Sequence, residues 1–593
     1  MTGHRTYTER IRGRVAESPG RAALILLTEQ DGVLRPEEVS YAELDAQARL
    51  LAVRIASHAS PGDRVMILQA SPRQFSVSFL ACLYAGVAAV PAAPPGDLGR
   101  HDERIAGIAK DAAATCVLTS LDEAPDVTQL MARTGYGDMT CIPTDAPGSG
   151  GDEAEEWQPR QQSPDDVAFV QYTSGSTREP RGVIVTHRSL LANNEAISTA
   201  LGTTPGSRIG GWLPLHHDMG LVGQLLHALW LGGTAVLLSP VAFAKRPAHW
   251  LETISRYGLT VSGAPDFAYD LCVRRINDSQ LAGLDLSGWQ VAVNGGEPVS
   301  AATMRAFADR FAPAGLRPEA LVPCYGLAEA TLLVSGNRGA SAFHTHDLRV
   351  PDSLGGLVRE AVACGRAAGA DLRIVDPGTR EALDDGRTGE IWLRGDSVAR
   401  GYWGRPGESA DTFDGRISGG DGGYLRTGDL GAIVDGELYV TGRIKDMIVV
   451  GGRNLYPQDL ERTVREVSAL FGSGTAFGVT SGRERIVVVQ ELRARSRYGV
   501  DLEELAASIR RTLSEQYEVR AGGVLLVRPG TVRRTTSGKL ERAAMRRLFL
   551  NGELGALYQS VDPEVELLVT SGGRASGGSR EGEGAGGMGG GRR

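Results

Sequence analysis

From Tyr41 to about residue 330, apolar runs too short for a helix alternate with segments whose apolar residues recur at helical spacing. This alternation is the tightest constraint on the fold. Strands joined by helices return parallel to one another, so an α/β architecture with much parallel sheet is expected. The segment "SYAELDAQARLLAVRIA" has the helical period, with Ser40 as N-cap and Glu43 three residues on, the pattern of a capping box. "DRVMIL" follows as a buried strand, and "VAFVQ" reads the same way. The apolar stretch Leu225 to Ala244 contains His227, Gly232, Gly233 and Pro240. That punctuation predicts a buried helix turning into a strand rather than a membrane span. Gly148 to Asp166 is polar and reads as a surface loop.

A chain of 593 residues is too long for one core. We expect a large, multi-subdomain N-terminal domain over residues 1–442, a connection over 443–446 and a small α+β C-terminal domain over 447–562. Residues 563–593 are expected to form a disordered tail, because the glycine-rich text from Ser571 cannot bury a core.

The net charge of -8 gives no general attraction to nucleic acid or anionic membrane. The first fourteen residues lack the apolar core of a signal peptide. Cys82, Cys116, Cys141, Cys272, Cys324 and Cys364 are scattered without CxxC spacing, which fits a reducing cytoplasm and indicates no zinc site. Of 63 basic residues only Lys110, Lys245, Lys445 and Lys539 are lysine. Where arginine does the ordinary surface work, a remaining lysine can mark a need for a compact, mobile ammonium.

The segment "YTSGSTREPRGV", Tyr172 to Val183, lies between "VAFVQ" and a helical run from His187. Hydroxyls on Thr173, Ser176 and Thr177 beside glycine suit an anion-binding nest, and Arg181 offers a bidentate fork to phosphate. The spacing is not that of a Walker P-loop. A plain Ser/Thr/Gly-rich turn is the competing reading of this segment taken alone.

This segment resembles the phosphate-loop signature of the adenylate-forming superfamily, which comprises acyl-CoA synthetases, fatty acyl-AMP ligases, peptide-synthetase adenylation domains and luciferases. Arg178 and Arg181 stand where that loop usually has glycine and lysine, a departure familiar in the fatty acyl-AMP ligase branch. The other motifs follow in the family's order: Gly295 to Pro298, Tyr325 to Glu329, Thr427 to Asp429, Gly442 to Asp446 and Ser537 to Lys539. "WLPLHHDMGLVGQLL" and the text from Ser239 to Ile276 also resemble that branch, and the segment Ala330 to Cys364 holds a shortened form of its insertion.

The resemblance implies ATP and Mg²⁺ as cofactors, with Glu329 and Thr173 holding the metal. It places Thr173, Ser174, Gly175, Ser176, Thr177 and Arg181 at the phosphates, and Tyr325 with Gly295, Gly296 and Glu297 at adenine. Asp429 would take the ribose hydroxyls, assisted by Arg443. Lys539 would bridge carboxylate and α-phosphate, His217 would border the acyl and thiol path, and Lys445 would be the hinge of a mobile C-terminal domain. The implied reaction activates a fatty acid as acyl-AMP and passes the acyl group to the phosphopantetheine thiol of a separate carrier protein. A polyketide or lipopeptide assembly line would be its setting. A fatty acyl-CoA ligase using free coenzyme A, and a catalytically idle nucleotide- or lipid-binding module, are the alternatives. The presence of Glu329, Asp429, Arg443 and Lys539 speaks against the idle module. His344-Thr-His346-Asp347 is too short of ligands for a metal site and reads as a loop.

Overall fold

The computed structural model describes residues 5–95, 100–146, 157–173, 180–339, 342–349, 358–451, 453–493, 500–535 and 538–575. The chain divides into two units. One is mainly Met1–Pro351 and Gly356–Lys445, and the other mainly Asp446–Thr535 and Lys539–Arg593.

Short apolar runs become strands because each is buried on both faces, and the amphipathic segments between them become the covering helices. In the larger unit a seven-stranded sheet runs Leu321–Pro323, Val291–Asn294, Val261–Ala264, Arg208–Gly211, Thr234–Leu238, Ala22–Gln30, Val33–Ser40. Every neighbouring pair is parallel except the last. A six-stranded sheet runs Thr140–Pro143, Cys116–Thr119, Arg64–Leu68, Ala88–Ala92, Val167–Tyr172, Gly182–Thr186, again parallel up to its final pair. The expected α/β layering is therefore present. Ser40 caps the helix Tyr41–Ala56 with the reciprocal Glu43 bonds of a capping box. Trp250, Trp289, Tyr269, Phe307 and Phe311 are fully buried under the seven-stranded sheet's helices, in one cluster with Trp212 and Phe243. A third, antiparallel sheet joins Asp371–Val375, Gly389–Arg394, Leu425–Val434 and Glu437–Arg443.

Within the smaller unit, a four-stranded sheet (Phe471–Ser481, Arg483–Leu492, Ala521–Val527, Ala556–Val561) accompanies the helices Pro457–Glu466, Leu502–Tyr517, Arg542–Leu550 and Pro563–Ala575. The last helix corrects the expected tail. Residues from Pro563 to Ala575 are helical, and Val565 is fully buried against Phe477 and Phe549. The helix begins before the glycine-rich text and runs into its first five residues, and its large apolar side chains lie ahead of Ser571.

The helical run expected from His187 is present, and an unforeseen strand, Gly182–Thr186, precedes it and pairs antiparallel with Val167–Tyr172. Only then does Thr186 cap the helix His187–Leu201. His346 and Asp347 lie in the strand Thr345–Arg349, paired with Val358–Val362, rather than in a loop. His344 Nε2 meets Glu437 Oε2 at 2.7 Å, and no group of metal-ligating side chains occurs among the described residues. The stretch from Leu225 is helix turning into strand as expected, but it begins as a π-helix, Met219–Leu226, that continues into His227–Leu231 and the strand Thr234–Leu238. No helix among the described residues is long and apolar enough to cross a membrane.

Candidate active site

Parallel strands expose their carboxyl ends on one side of a sheet, and the loops leaving those ends hold most of the predicted residues. Thr173 follows the strand ending at Tyr172, His217 follows the strand ending at Gly211, Gly295 follows Asn294, and Tyr325 lies just beyond Pro323. In open α/β sheets this is where ligands bind. Buried polar atoms without a protein partner gather here as well. Gln171 Oε1, Trp212 Nε1 and Asn294 Oδ1 lie at these strand ends, and Gln224 Oε1 belongs to an amide packed against Gly211 and Gly263. Such atoms each cost about 1–3 kcal/mol unless a ligand or water completes them.

Ser174, Gly175, Ser176 and Thr177 lie outside the described residues. The residues on either side of them are tied together. Thr173 N donates to Arg181 O at 3.3 Å, and Arg104 Nη2 donates to Thr173 O at 3.0 Å. Arg181 pairs with Glu408 Oε2 at 3.0 Å, and its guanidinium lies 5.8 Å from the centre of the Tyr402 ring. Glu408 is shared with Arg405, which in turn meets Asp111 at 3.1 Å. Tyr172 donates to the other oxygen of Asp111 at 2.7 Å.

Glu329 stands in a short 3₁₀ turn, Ala328–Ala330, fixed where its carbonyl accepts from Ala399 N at 2.8 Å. Its Oε1 accepts from the Tyr402 hydroxyl at 2.9 Å. Burial pushes its carboxyl above the usual range; the Tyr402 hydrogen bond and Arg443 pull it back, and Asp429 raises it. A desolvated carboxylate of this kind is stabilised by a cation, and its oxygens are hard donors of the kind that suits a small divalent ion.

Asp429 is 3% exposed and receives two side chains. Tyr325 Oη donates to Oδ2 at 2.7 Å, and Arg443 Nε donates to Oδ1 at 2.7 Å. Thr427 Oγ1 accepts from Asp429 N at 3.0 Å, which fixes the backbone. Each carboxylate oxygen still has lone-pair capacity, so a vicinal diol could be accepted as well.

The turn after Asn294 needs both its glycines. Gly296 has φ +82°, and a Cβ on Gly295 would lie 2.8 Å from Cys324 O, the residue before Tyr325. Asp266 Oδ1 accepts from Asn294 Nδ2 and from Ser300 N, both at 3.0 Å, so it ties the two ends of the turn. Glu297 Oε1 accepts from Phe267 N at 2.6 Å in the middle. His217 Nδ1 meets Asp218 Oδ1 at 3.0 Å, and the preceding carbonyl, of His216, accepts from Gln171 Nε2 at 2.9 Å.

Side-chain contacts thus connect Arg181 through Tyr402 to Glu329, and Glu329 lies in the fields of Arg443 and Asp429, which bind each other and Tyr325. Tyr402, Glu408, Arg405, Asp111 and Asp266 were not foreseen. None belongs to a motif whose chemistry shows in its own neighbours, and only the fold brings them to the loops. Lys539 belongs to the smaller unit. Its N donates to Thr535 Oγ1 at 3.1 Å and its O accepts from Thr535 N at 2.8 Å, and Gly538 before it has φ +87°. Lys445 is the last residue of the larger unit's main segment.

Comparison with known proteins gives a consistent answer. The AMP-binding enzyme family model matches residues 11–403. A medium-chain-fatty-acid–acyl-carrier-protein ligase of Moorena producens is 38% identical over 88% of this chain and 92% of its own length. A long-chain-fatty-acid–AMP ligase of Mycobacterium marinum is 37% identical over 86% of this chain and 91% of its own. The crystal structure of a fatty acyl-adenylate ligase from L. pneumophila, in complex with acyl adenylate and pyrophosphate, shares 34% identity and a TM-score of 0.72. It covers 94% of this chain and 98% of that one. With the ordered motifs and the constellation around Glu329 and Asp429, these likenesses place the chain among the fatty acyl-AMP ligases of the adenylate-forming superfamily.

Proposed function

We propose that this ligase joins a medium- or long-chain fatty acid to ATP, giving acyl-AMP and pyrophosphate, and then delivers the acyl group to the phosphopantetheine thiol of a separate acyl carrier protein. The observation that carries the reading is a pair of linked groups, Arg181 with Tyr402 and Glu329 on one side and Arg443 with Asp429 and Tyr325 on the other, with Glu329 in the electrostatic field of Arg443 and Asp429.

In the first step a carboxylate oxygen attacks the α-phosphorus. The new acyl–phosphate bond forms as the α–β anhydride breaks and pyrophosphate leaves. Two anions must approach, so the protein's work is chiefly to supply positive charge and to hold geometry. Arg181 at the neck of the phosphate loop is set for the phosphates. Asp429, oriented by Tyr325 and Arg443, takes the ribose hydroxyls. The Gly295–Glu297 turn and Tyr325 flank adenine, where absent side chains let a planar base approach backbone. Glu329 and Thr173 would hold Mg²⁺, which when bound neutralises phosphate charge. Lys539 supplies an ammonium that bridges carboxylate and α-phosphate. In the second step the thiol attacks the acyl carbon and AMP leaves; His217 borders that path. The division of the chain directly after Lys445 supports a hinge there, by which the smaller unit presents or withdraws Lys539.

Six free cysteines support a reducing, cytoplasmic setting. A lipid starter for a polyketide or lipopeptide assembly line is the product use that fits a carrier acceptor.

The test is product analysis with ATP and a panel of fatty acids, offering holo-carrier protein and coenzyme A in parallel. We expect acyl-AMP and pyrophosphate from fatty acid and ATP alone, and acyl-carrier forming much faster than acyl-CoA. Acyl-CoA formed at equal or greater rate would make the protein a coenzyme A ligase, and no adenylate with any acid would make it an idle module.

A further inference from the structure

The Arg181 guanidinium and the Glu329 carboxylate share one neighbour. Tyr402 offers its ring to Arg181, 5.8 Å from the guanidinium carbon to the ring centre, and its hydroxyl to Glu329 Oε1 at 2.9 Å. The tyrosine itself is held on every side. Its backbone bridges Val183, and Tyr402 N donates to Ser409 Oγ at 2.9 Å. On either side of it, Ile184 N donates to Gly401 O at 2.9 Å and Trp403 N donates to Gly182 O at 2.8 Å. The Phe413 ring meets the Tyr402 ring edge-on at 5.2 Å, and Tyr402 is 7% exposed. A second brace reaches Arg181 from Glu408 at 3.0 Å, and Arg405 fixes Glu408 from behind at 3.0 Å.

We propose that Tyr402 is a positioning residue that sets the phosphate-loop cation and the metal-binding carboxylate in one fixed relation, its ring serving Arg181 and its hydroxyl serving Glu329. The inference rests on the adenylating function proposed above and adds a division of labour within one side chain. The ring fixes the plane of the Arg181 guanidinium while Glu408 takes Nη2, so the N–H groups that Glu408 does not engage can be offered to a phosphate in a fixed direction. A carboxylate that accepts one fixed hydrogen bond presents its remaining lone pairs in a fixed direction, as partners behind metal ligands do. Because ring and hydroxyl act on different groups, two substitutions separate them. Tyr402→Phe keeps the ring under Arg181 and removes the bond to Glu329. Tyr402→Leu removes both.

The experiment is calorimetric titration of ATP into the full chain, without fatty acid, in EDTA and again with Mg²⁺. Pyrophosphate release with fatty acid is measured on the same samples. For Tyr402→Phe the metal-free affinity is expected to stay within about twofold of wild type, while affinity for ATP with Mg²⁺ falls about tenfold, the scale of losing a partner behind a metal ligand. For Tyr402→Leu both affinities are expected to fall. Thermal melting separates this from a folding defect, since Tyr402→Phe should melt close to wild type. The inference is overturned if Tyr402→Phe binds ATP with Mg²⁺ as wild type does, or if it loses metal-free affinity to the same extent as Tyr402→Leu. If instead wild-type protein releases no pyrophosphate with any fatty acid, the proposed function falls, independently of how the two variants bind ATP.

Discussion

Asp266 makes a measurable stability prediction. Its carboxylate is largely buried beside the Asn294–Ser300 turn, and burial pushes its carboxyl from an ordinary 3.8 up to about 6. Asp270 raises it further, while bonds from Ser300 N, Asn294 and Thr303 pull the other way without cancelling the burial. A carboxyl whose value is raised on folding favours the fold fully below 3.8 and loses that contribution as pH rises through 6. The difference between 3.8 and about 6 corresponds to about 3 kcal/mol against the fold at pH 7. Asp266→Asn removes the charge but keeps Oδ1 as acceptor for Asn294 and Ser300. The variant should be more stable than wild type by about 1–3 kcal/mol at pH 7.5, allowing for the favourable charge–dipole term at the start of the helix Asp266–Arg275. About two thirds of that advantage should be gone by pH 4.5, and the rest should disappear as pH falls below 3.8. Denaturant melts of both proteins at pH 4.5, 6 and 7.5, following the larger unit's transition, measure the difference directly. A variant less stable than wild type at pH 7.5, or a difference that does not change with pH, would refute the reasoning. Asp266→Leu, which cannot tie the turn, should instead raise the ATP KM about tenfold, the loss of one or two hydrogen bonds at a binding turn.

Further outcomes follow from the same geometry. Lys539→Ala should lower acyl-AMP formation about 10²–10³-fold while calorimetric ATP binding survives, because the ammonium acts where two anions meet; near-normal pyrophosphate release would contradict it. Lys445→Pro should spare adenylation and impair thioester formation, since proline fixes φ where rotation is needed; equal loss of both half-reactions, or no change in either, would remove the hinge role. Tyr325→Phe should raise the ATP KM by about tenfold with the metal dependence unchanged, because one of the two donors fixing Asp429 is lost; an unchanged KM would show that Arg443 alone suffices. Deleting residues 576–593 should leave the melting temperature unaltered, whereas stopping the chain at residue 562 should cost about 2 kcal/mol or more through the buried Val565 alone; equal melting of both truncations would refute the docking of that helix.

Sequence alone settled the elements wherever periodicity and capping act locally. Ser40 and Glu43 start a helix because the two side chains satisfy each other's backbone groups, and "DRVMIL" holds a strand because the short apolar run Val65 to Leu68 is buried on both faces. The ordered motifs pointed to Arg181, Glu329, Asp429 and Arg443 through their resemblance to the adenylate-forming superfamily, because a motif's order and spacing are written along the chain. Other features depend on chain segments far apart in sequence. The strand Gly182–Thr186 exists because it pairs with Val167–Tyr172, and His346 is in a strand because Ala361 lies opposite it. The helix Pro563–Ala575 forms where Val565 joins the buried cluster that holds Phe477 of the sheet and Phe549 of the helix Arg542–Leu550, and composition cannot report that surface. Tyr402 and Asp266 show the same limit at the site. A tyrosine after glycine and an aspartate after proline are unremarkable in the sequence. One becomes the link between a guanidinium and a carboxylate because it lies against Val183, and the other ties a turn because the strand Val261–Ala264 ends beside Asn294, and burial makes each hydrogen bond count.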